Sequence, residues 1–200
     1  MPTSQSQPPS STNVRALVAN LFYLNQRRSA LIDYVRRESP DMLVLFDVNP
    51  AWQRTLTELE DAYPYQLADY PRRGDGIALF SKREPLRAQL RQLGPSNRKT
   101  MVAICADEDQ EFTVIATHLF PPISARLSQV RDEQLQAVGE LAAETAGPLL
   151  VMGDLNTSPW SPIFRQLART SGLRDSRRGY GLQVTWTGAR GGAVRTVSGE

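Results

Sequence analysis

The chain has 200 residues, of which 40% are hydrophobic and 22% charged, a composition typical of a globular domain large enough to bury a core. Its net charge of +2 is too small to indicate nucleic-acid binding by itself, and no apolar run approaches the roughly 20 residues of a membrane-spanning helix. The single cysteine, Cys105, excludes an intrachain disulfide and a multi-cysteine metal site.

The first part of the chain alternates strand and helix patterns. Residues 1–13 are polar and rich in proline and serine, which predicts a disordered leader. The apolar runs that follow alternate between strand and helix spacing, as is typical of an α/β protein. The predicted elements are a strand over Val14–Ala19, a helix over Arg28–Glu38, a strand over Met42–Phe46 and a helix from Pro50 to about Asp61.

The middle of the chain changes to short strand-like runs separated by turn residues, which predicts a largely antiparallel sheet. These runs are Tyr65–Asp69, Gly76–Ser81, Leu86–Leu93, Thr100–Cys105 and Phe112–Thr117. A long amphipathic helix is predicted over Ser124–Thr145 and a shorter one over Ile163–Ala168, with Thr157 or Ser158 as its cap. After Asp175 the pattern fades into a segment rich in Gly and Arg.

Between these two helices, four apolar residues at 149–152 predict a buried strand, and Gly153 follows as a turn residue. Asp154 and Asn156 come next, two residues apart, so in an extended backbone both side chains project to the same side. A carboxylate and an amide at one point can bind a hard cation or orient water. The alternative is a corner whose Asp and Asn only cap backbone groups.

Polar side chains stand at the carboxyl ends of four predicted strands. They are Asn20, Asp47, His118 and the pair Asp154 and Asn156. Ligand sites of α/β proteins lie beyond such strand ends, so the repeated coincidence favours an active site. Taken singly, these residues have plainer interpretations: a turn former for Asn20, a helix cap for Asp47 and a hydrogen-bonded structural histidine for His118.

The order of these motifs resembles the endonuclease/exonuclease/phosphatase superfamily, which has a DNase-I-like fold. The resemblance rests on Asn20, Pro40-Asp41, Leu45-Phe46-Asp47, Gly76–Ser81, Thr117-His118-Leu119 and Gly153-Asp154-Leu155-Asn156. Other segments resemble a bacterial subgroup: Val48–Trp52, Tyr63-Pro64-Tyr65, Pro121-Pro122, Asn156–Pro162, Ser171–Asp175 and Gly181–Trp186. The resemblance predicts one domain over residues 14–187 and a divergent Gly-rich tail over 188–200.

The resemblance implies a four-layer αββα sandwich and hydrolysis of phosphoester bonds with Mg²⁺ or Mn²⁺. Carried over to this chain, Asp154 and Asn156 hold the nucleophile and the scissile phosphate, and His118 donates to the phosphate or the leaving group. Asp47 takes the principal metal-ligand position, with Asn20 beside the metal. Nucleic acid, phospholipid and small phosphodiesters all remain open as substrates. We expect a cytoplasmic monomer.

Two departures from the family pattern predict impaired catalysis. Asp47 stands where the family has Glu, and the shorter side chain misplaces the metal, which can cost on the order of 100-fold in rate. The family's Asp-His and Ser-Asp-His segments have no counterpart, since His118 is the only histidine. We therefore expect an incomplete second sheet and a weakened hydrolase. The alternative is a non-catalytic, truncated remnant that keeps a metal- or phosphate-binding pocket.

Overall fold

Two β-sheets lie face to face, each covered by helices on its outer side, in the computed structural model of the chain, which describes residues 14–107, 110–177 and 195–196. In chain order the elements are β1 (Ala16–Asn20), α1 (Arg28–Glu38), β2 (Met42–Val48), α2 (Pro50–Leu56), β3 (Tyr65–Asp69), β4 (Gly76–Ser81), β5 (Arg87–Gln92), β6 (Lys99–Asp107), β7 (Gln110–His118), α3 (Ala125–Glu144), β8 (Leu149–Asp154), α4 (Pro162–Ser171) and β9 (Arg195–Thr196). The predicted αββα sandwich is confirmed.

Parallel strand pairs in both sheets bring carboxyl ends together. The strand order is β3-β4-β2-β1-β9 in the first sheet and β5-β6-β7-β8 in the second. β1 runs parallel to β2 with Asn20 opposite Phe46, and β7 runs parallel to β8 with His118 opposite Asp154. β9 lies inside the predicted tail and pairs antiparallel with β1. The strand-end polar residues of each sheet are therefore neighbours at one edge.

The strand β2 is buried on both faces, as its continuous apolar sequence predicts. Leu43 and Leu45 pack in the layer that holds α1 and α2, whereas Val44 and Phe46 lie in the layer between the two sheets. This division follows from the two-residue period of a strand. The second sheet contributes Met101, Ala103, Val114, Ala116 and Met152 to the layer between the sheets.

Local capping explains where α2 and α3 begin. The Asn49 side chain accepts hydrogen bonds from the backbone nitrogens of Ala51 and Trp52. Pro50 occupies the first turn of α2, where its missing N–H leaves no bond unmade. Ser124 caps α3 by accepting from the Leu127 backbone nitrogen. Both helix starts agree with the sequence predictions within one residue.

The helix α4 has a different cap from the predicted one. Its cap is Ser161, which accepts from the Phe164 backbone nitrogen, and neither Thr157 nor Ser158. The reason is Pro162, which restricts the preceding residue to extended backbone and then starts the helix itself. The predicted cap was therefore wrong.

The helix α2 is shorter than predicted. It ends at Leu56 and continues as a 3-10 turn over Thr57–Leu59 rather than as one helix to Asp61. The predicted leader at 1–13 lies outside the described residues, as do the Gly181–Trp186 segment and residues 188–194 and 197–200 of the predicted tail. Within the described part of the chain, no helix combines the length and apolar character needed to cross a membrane.

Candidate active site

His118 lies between two carboxylates at the edge where the strand ends meet. Its Nδ1 atom is 2.9 Å from Asp47 Oδ1, and its Nε2 atom is 3.8 Å from Asp154 Oδ2. The side chains of His118 and Asp47 are 9% and 13% exposed, whereas that of Asp154 is 38% exposed. The structure thus brings three predicted site residues together, and Asp154 is the member that solvent reaches most easily.

Asp47 reaches the imidazole because β2 bulges at this residue. Phe46 pairs with Ile77 and Val48 pairs with Gly76, so Asp47 has no partner residue in β4. Its φ of 57° lies in the left-handed region that ordinary residues seldom adopt. Bulges of this kind redirect a side chain, and they are common beside active sites. The sequence places Asp47 at the strand end but does not indicate the bulge.

Asp154 is held through both carboxylate oxygens. Asn20 donates from Nδ2 to Asp154 Oδ2 at 3.2 Å, and the Asn156 backbone nitrogen donates to Oδ1 at 3.1 Å. The Asn20 Oδ1 atom accepts from the Phe22 backbone nitrogen at 3.1 Å. Asn20 therefore joins the predicted cluster, with its amide nitrogen rather than its oxygen directed at Asp154.

Asn156 does not share an extended backbone with Asp154, so that sequence prediction was wrong. Its φ is 48°, and the chain turns back through the bond from its backbone nitrogen to Asp154. Its Nδ2 atom donates to the Leu119 carbonyl at 2.8 Å, and its own carbonyl accepts from Arg131 at 2.5 Å. The corner therefore makes the backbone-capping contacts of the plainer interpretation, and the role of Asn156 toward phosphate stays a prediction.

Arg98, which the sequence analysis missed, belongs to the same cluster. Its guanidinium lies 4.0 Å from Asp47 Oδ1 and stacks over the Phe120 ring at 4.8 Å from the centroid. The Nε and Nη1 atoms are buried without a hydrogen-bond partner. Burial lowers the pKa of Arg98, while the charges of Asp47, Asp75 and Asp154 oppose that shift. The site therefore carries a buried cation with unused donors.

The loop between β5 and β6 positions Arg98. The buried Ser96 hydroxyl accepts from the Arg98 backbone nitrogen at 3.0 Å. The hydroxyls of Thr100 and Thr117, 2.8 Å apart, join β6 to the end of β7 beside His118. Arginine is the common cation of this chain, so nothing in the local sequence distinguishes Arg98 from the others.

The cluster offers oxygen donors to a divalent cation. No group of three or more His, Cys, Asp and Glu side chains is arranged as a metal site within 14–107 and 110–177. Asp47 and Asp154 supply two carboxylates, and the buried Asp47 Oδ1 atom has no donor aligned with it. Mg²⁺ in proteins is commonly held by one or two carboxylates and keeps several waters. The donor chemistry therefore fits such an ion.

The sequence and the fold both have known relatives. The chain matches the Endonuclease/Exonuclease/phosphatase family over residues 13–198. Nocturnin of Drosophila melanogaster is 33% identical over 117 residues, which are 50% of this chain and 17% of Nocturnin. The chain thus spans less than a fifth of the length of that relative.

Two solved structures confirm the fold at low sequence identity. The structure of D. rerio TDP2 complexed with a single strand DNA product has a TM-score of 0.72 and 16% identity, covering 94% of this chain and 81% of that one. A mutant beta toxin from Staphylococcus aureus with bound magnesium ions has a TM-score of 0.64 and 17% identity, covering 82% and 72%.

The sandwich with a polar cluster at its strand ends is the fold of the two solved structures, and the sequence match shows the family to which this fold belongs here. This chain belongs to the Endonuclease/Exonuclease/phosphatase family, because the family match extends over most of its length. The predicted membership of the superfamily is thereby confirmed, and the bacterial subgroup stays a prediction.

Proposed function

We propose that this chain is a divalent-metal-dependent phosphoester hydrolase of low turnover. The observation that carries the proposal is the position of His118, 2.9 Å from Asp47 on one side and 3.8 Å from Asp154 on the other. A carboxylate on one side of an imidazole orients the ring and leaves the second nitrogen for proton transfer. Membership in a family of phosphoester hydrolases supports the same reaction class.

His118 Nε2 is the atom assigned to proton transfer, because it faces the more exposed carboxylate of Asp154. Asp47 holds the ring from the Nδ1 side. A phosphoester bound beside Asp154 has its leaving oxygen within reach of Nε2, so His118 donates a proton to that oxygen as the bond breaks. Asp154, with Asn156 beside it, orients the attacking water.

Arg98 supplies positive charge to the phosphate oxygens. Its Nε and Nη1 atoms have no hydrogen-bond partner in the described part of the protein, and charge-assisted bonds from guanidinium to phosphate are among the stronger hydrogen bonds. Asp47, 4.0 Å away, and the Phe120 ring keep the guanidinium in place. Arg98 thereby adds a role that the sequence motifs do not contain.

Asp47 and Asp154 are the residues that would hold Mg²⁺ or Mn²⁺, with Asn20 beside them. Such an ion, when bound, polarises the P–O bond and offsets the negative charge that develops as the bond breaks. The feature that favours a cation here is the buried Asp47 Oδ1 atom, which accepts no hydrogen bond of good geometry from the protein.

Turnover is expected to be low because His118 is the only histidine of this chain. Activating water and protonating the leaving group need two proton-transfer groups, and His118 serves one of these steps at a time. Loss of a positioned base typically costs about 10²–10⁴-fold in rate. The same observation supports a second candidate function, a non-catalytic pocket that binds metal and phosphate.

Hydrolysis of bis-p-nitrophenyl phosphate with Mn²⁺ or Mg²⁺ tests the proposal. We expect slow, metal-dependent hydrolysis by the chain and by Asp33→Ala, a control at an exposed position of α1. Asp154→Ala should abolish it. Calorimetric Mn²⁺ binding that disappears in Asp154→Ala, without hydrolysis in any variant, would favour the non-catalytic pocket. The absence of both Mn²⁺ binding and hydrolysis would contradict both candidates.

A further inference from the structure

Four large apolar side chains are exposed on the loops around the candidate active site. Phe22, Leu24, Ile123 and Trp160 are between 55% and 81% exposed. We call these four residues the apolar rim. They follow β1, β7 and β8, the strands that end at Asn20, His118 and Asp154. The rim therefore surrounds the same edge of the sandwich as the catalytic cluster.

The local structure directs the rim outward rather than into the core. Phe22 has a φ of 52°, and its backbone nitrogen donates to Asn20 Oδ1, so a site residue fixes the turn that presents it. Ile123 stands in the loop just before the Ser124 cap of α3. Trp160 precedes the Ser161 cap of α4. Each apolar side chain thus stands on a loop that a hydrogen bond or a helix start holds in place.

The exposed charges on these loops have a single sign, whereas the acidic Asp75 is half-buried. In the described loops 21–27, 70–75, 93–98, 119–124 and 155–161, the exposed charged residues are Arg27, Arg72 and Arg73, and no Asp or Glu is exposed. Apolar side chains flanked by arginines match a surface that has hydrocarbon beneath a layer of anionic phosphate groups.

We propose that the apolar rim docks this chain on a lipid bilayer that contains anionic lipids, so that the site acts on the phosphoester of a lipid headgroup. The choice of substrate rests on the proposed hydrolase function, whereas the docking does not. Leu24 and Ile123 favour lipid over nucleic acid, because an aliphatic side chain offers no π-face for a base to stack on. Hydrocarbon accepts aliphatic and aromatic side chains alike.

Co-sedimentation with vesicles of phosphatidylcholine, with and without phosphatidylglycerol, tests the docking. We expect binding that increases with phosphatidylglycerol. Ile123→Ser should weaken it about tenfold, because the side chain no longer enters hydrocarbon. Leu86→Ser is the matched control, since Leu86 is 59% exposed but lies in the connection between β4 and β5, away from the site edge. It should bind as the unaltered chain does.

The arginines are tested in the same assay. Arg72→Gln and Arg73→Gln should each reduce binding about fivefold at low salt, since a basic residue near an anionic bilayer contributes on this scale. Arg87→Gln, at an exposed position on β5, is the control and should leave binding unchanged. Thermal unfolding of each variant establishes that the substitution leaves the fold intact.

Three results would overturn the docking proposal. One is no binding to vesicles of either composition, and another is an equal loss in Ile123→Ser and Leu86→Ser. The third is binding to a single-stranded oligonucleotide in place of vesicles, lost in Trp160→Ala but kept in Ile123→Ser. Vesicle binding by the unaltered chain, with no phosphoester hydrolysed by that chain, would support docking and contradict the hydrolase function, so the two failures are distinguishable.

Discussion

We expect Gly153→Ala to destabilise the protein more than Gly172→Ala, although both glycines have a positive φ. Gly153 has a φ of 139°, and a Cβ atom there would lie 1.9 Å from the Thr117 carbonyl oxygen. The register pairs Gly153 with Thr117 and Asp154 with His118. Any shift of β8 that relieves the overlap therefore also moves Asp154 away from His118.

The magnitude has two parts. A side chain in a conformation reserved almost entirely for glycine costs about 1–3 kcal/mol. Forcing extra atoms into a packed position costs about 1–3 kcal/mol more. Together these are a large share of a net stability of about 5–15 kcal/mol. Gly172 is the matched control: its φ is 72°, but a Cβ atom would meet nothing within 4 Å, so alanine there carries only the backbone cost of about 1–2 kcal/mol.

Urea unfolding followed by circular dichroism measures both variants. Gly153→Ala should lose more stability than Gly172→Ala and should also lose hydrolytic activity under conditions where it is still folded. Equal stability losses in the two variants would refute the reasoning, because they would mean that the Thr117 carbonyl does not confine β8 at this position.

Two further predictions concern Arg98 and Cys105. Arg98→Met should raise the KM for a phosphodiester roughly tenfold, because charge-assisted bonds contribute about 1.5–3 kcal/mol. The control Arg91→Met, at an exposed position of β5, should leave the KM unchanged. An unchanged KM in Arg98→Met would remove Arg98 from the phosphate site. Burial raises the pKa of the Cys105 thiol to about 11, above its ordinary value of 9.0. Because the folded state holds this proton more tightly, the stabilising effect of the group is complete below pH 9.0 and is lost as pH rises through 11. Urea unfolding between these pH values should show a steeper loss of stability in the unaltered chain than in Cys105→Ala, and identical slopes would count against a buried thiol.

The sequence determined the elements and the layers of the fold. Apolar periodicity marks a strand or a helix locally, so α1, β3 and β4 have the bounds that their own residues predict. The continuous apolar run of β2 likewise requires burial on both faces, and this places it between a helical layer and a second sheet. Polar residues at strand ends then locate the site to one edge.

Only the tertiary structure decided how the site is built. The bulge at Asp47 depends on how β2 pairs with β4, and the position of Arg98 depends on how β6 pairs with β7. The turn at Asn156 is held by hydrogen bonds to Leu119 and Arg131, which are distant in sequence. Local periodicity carries no record of such pairings, because each is selected by the summed packing of residues far apart in the chain.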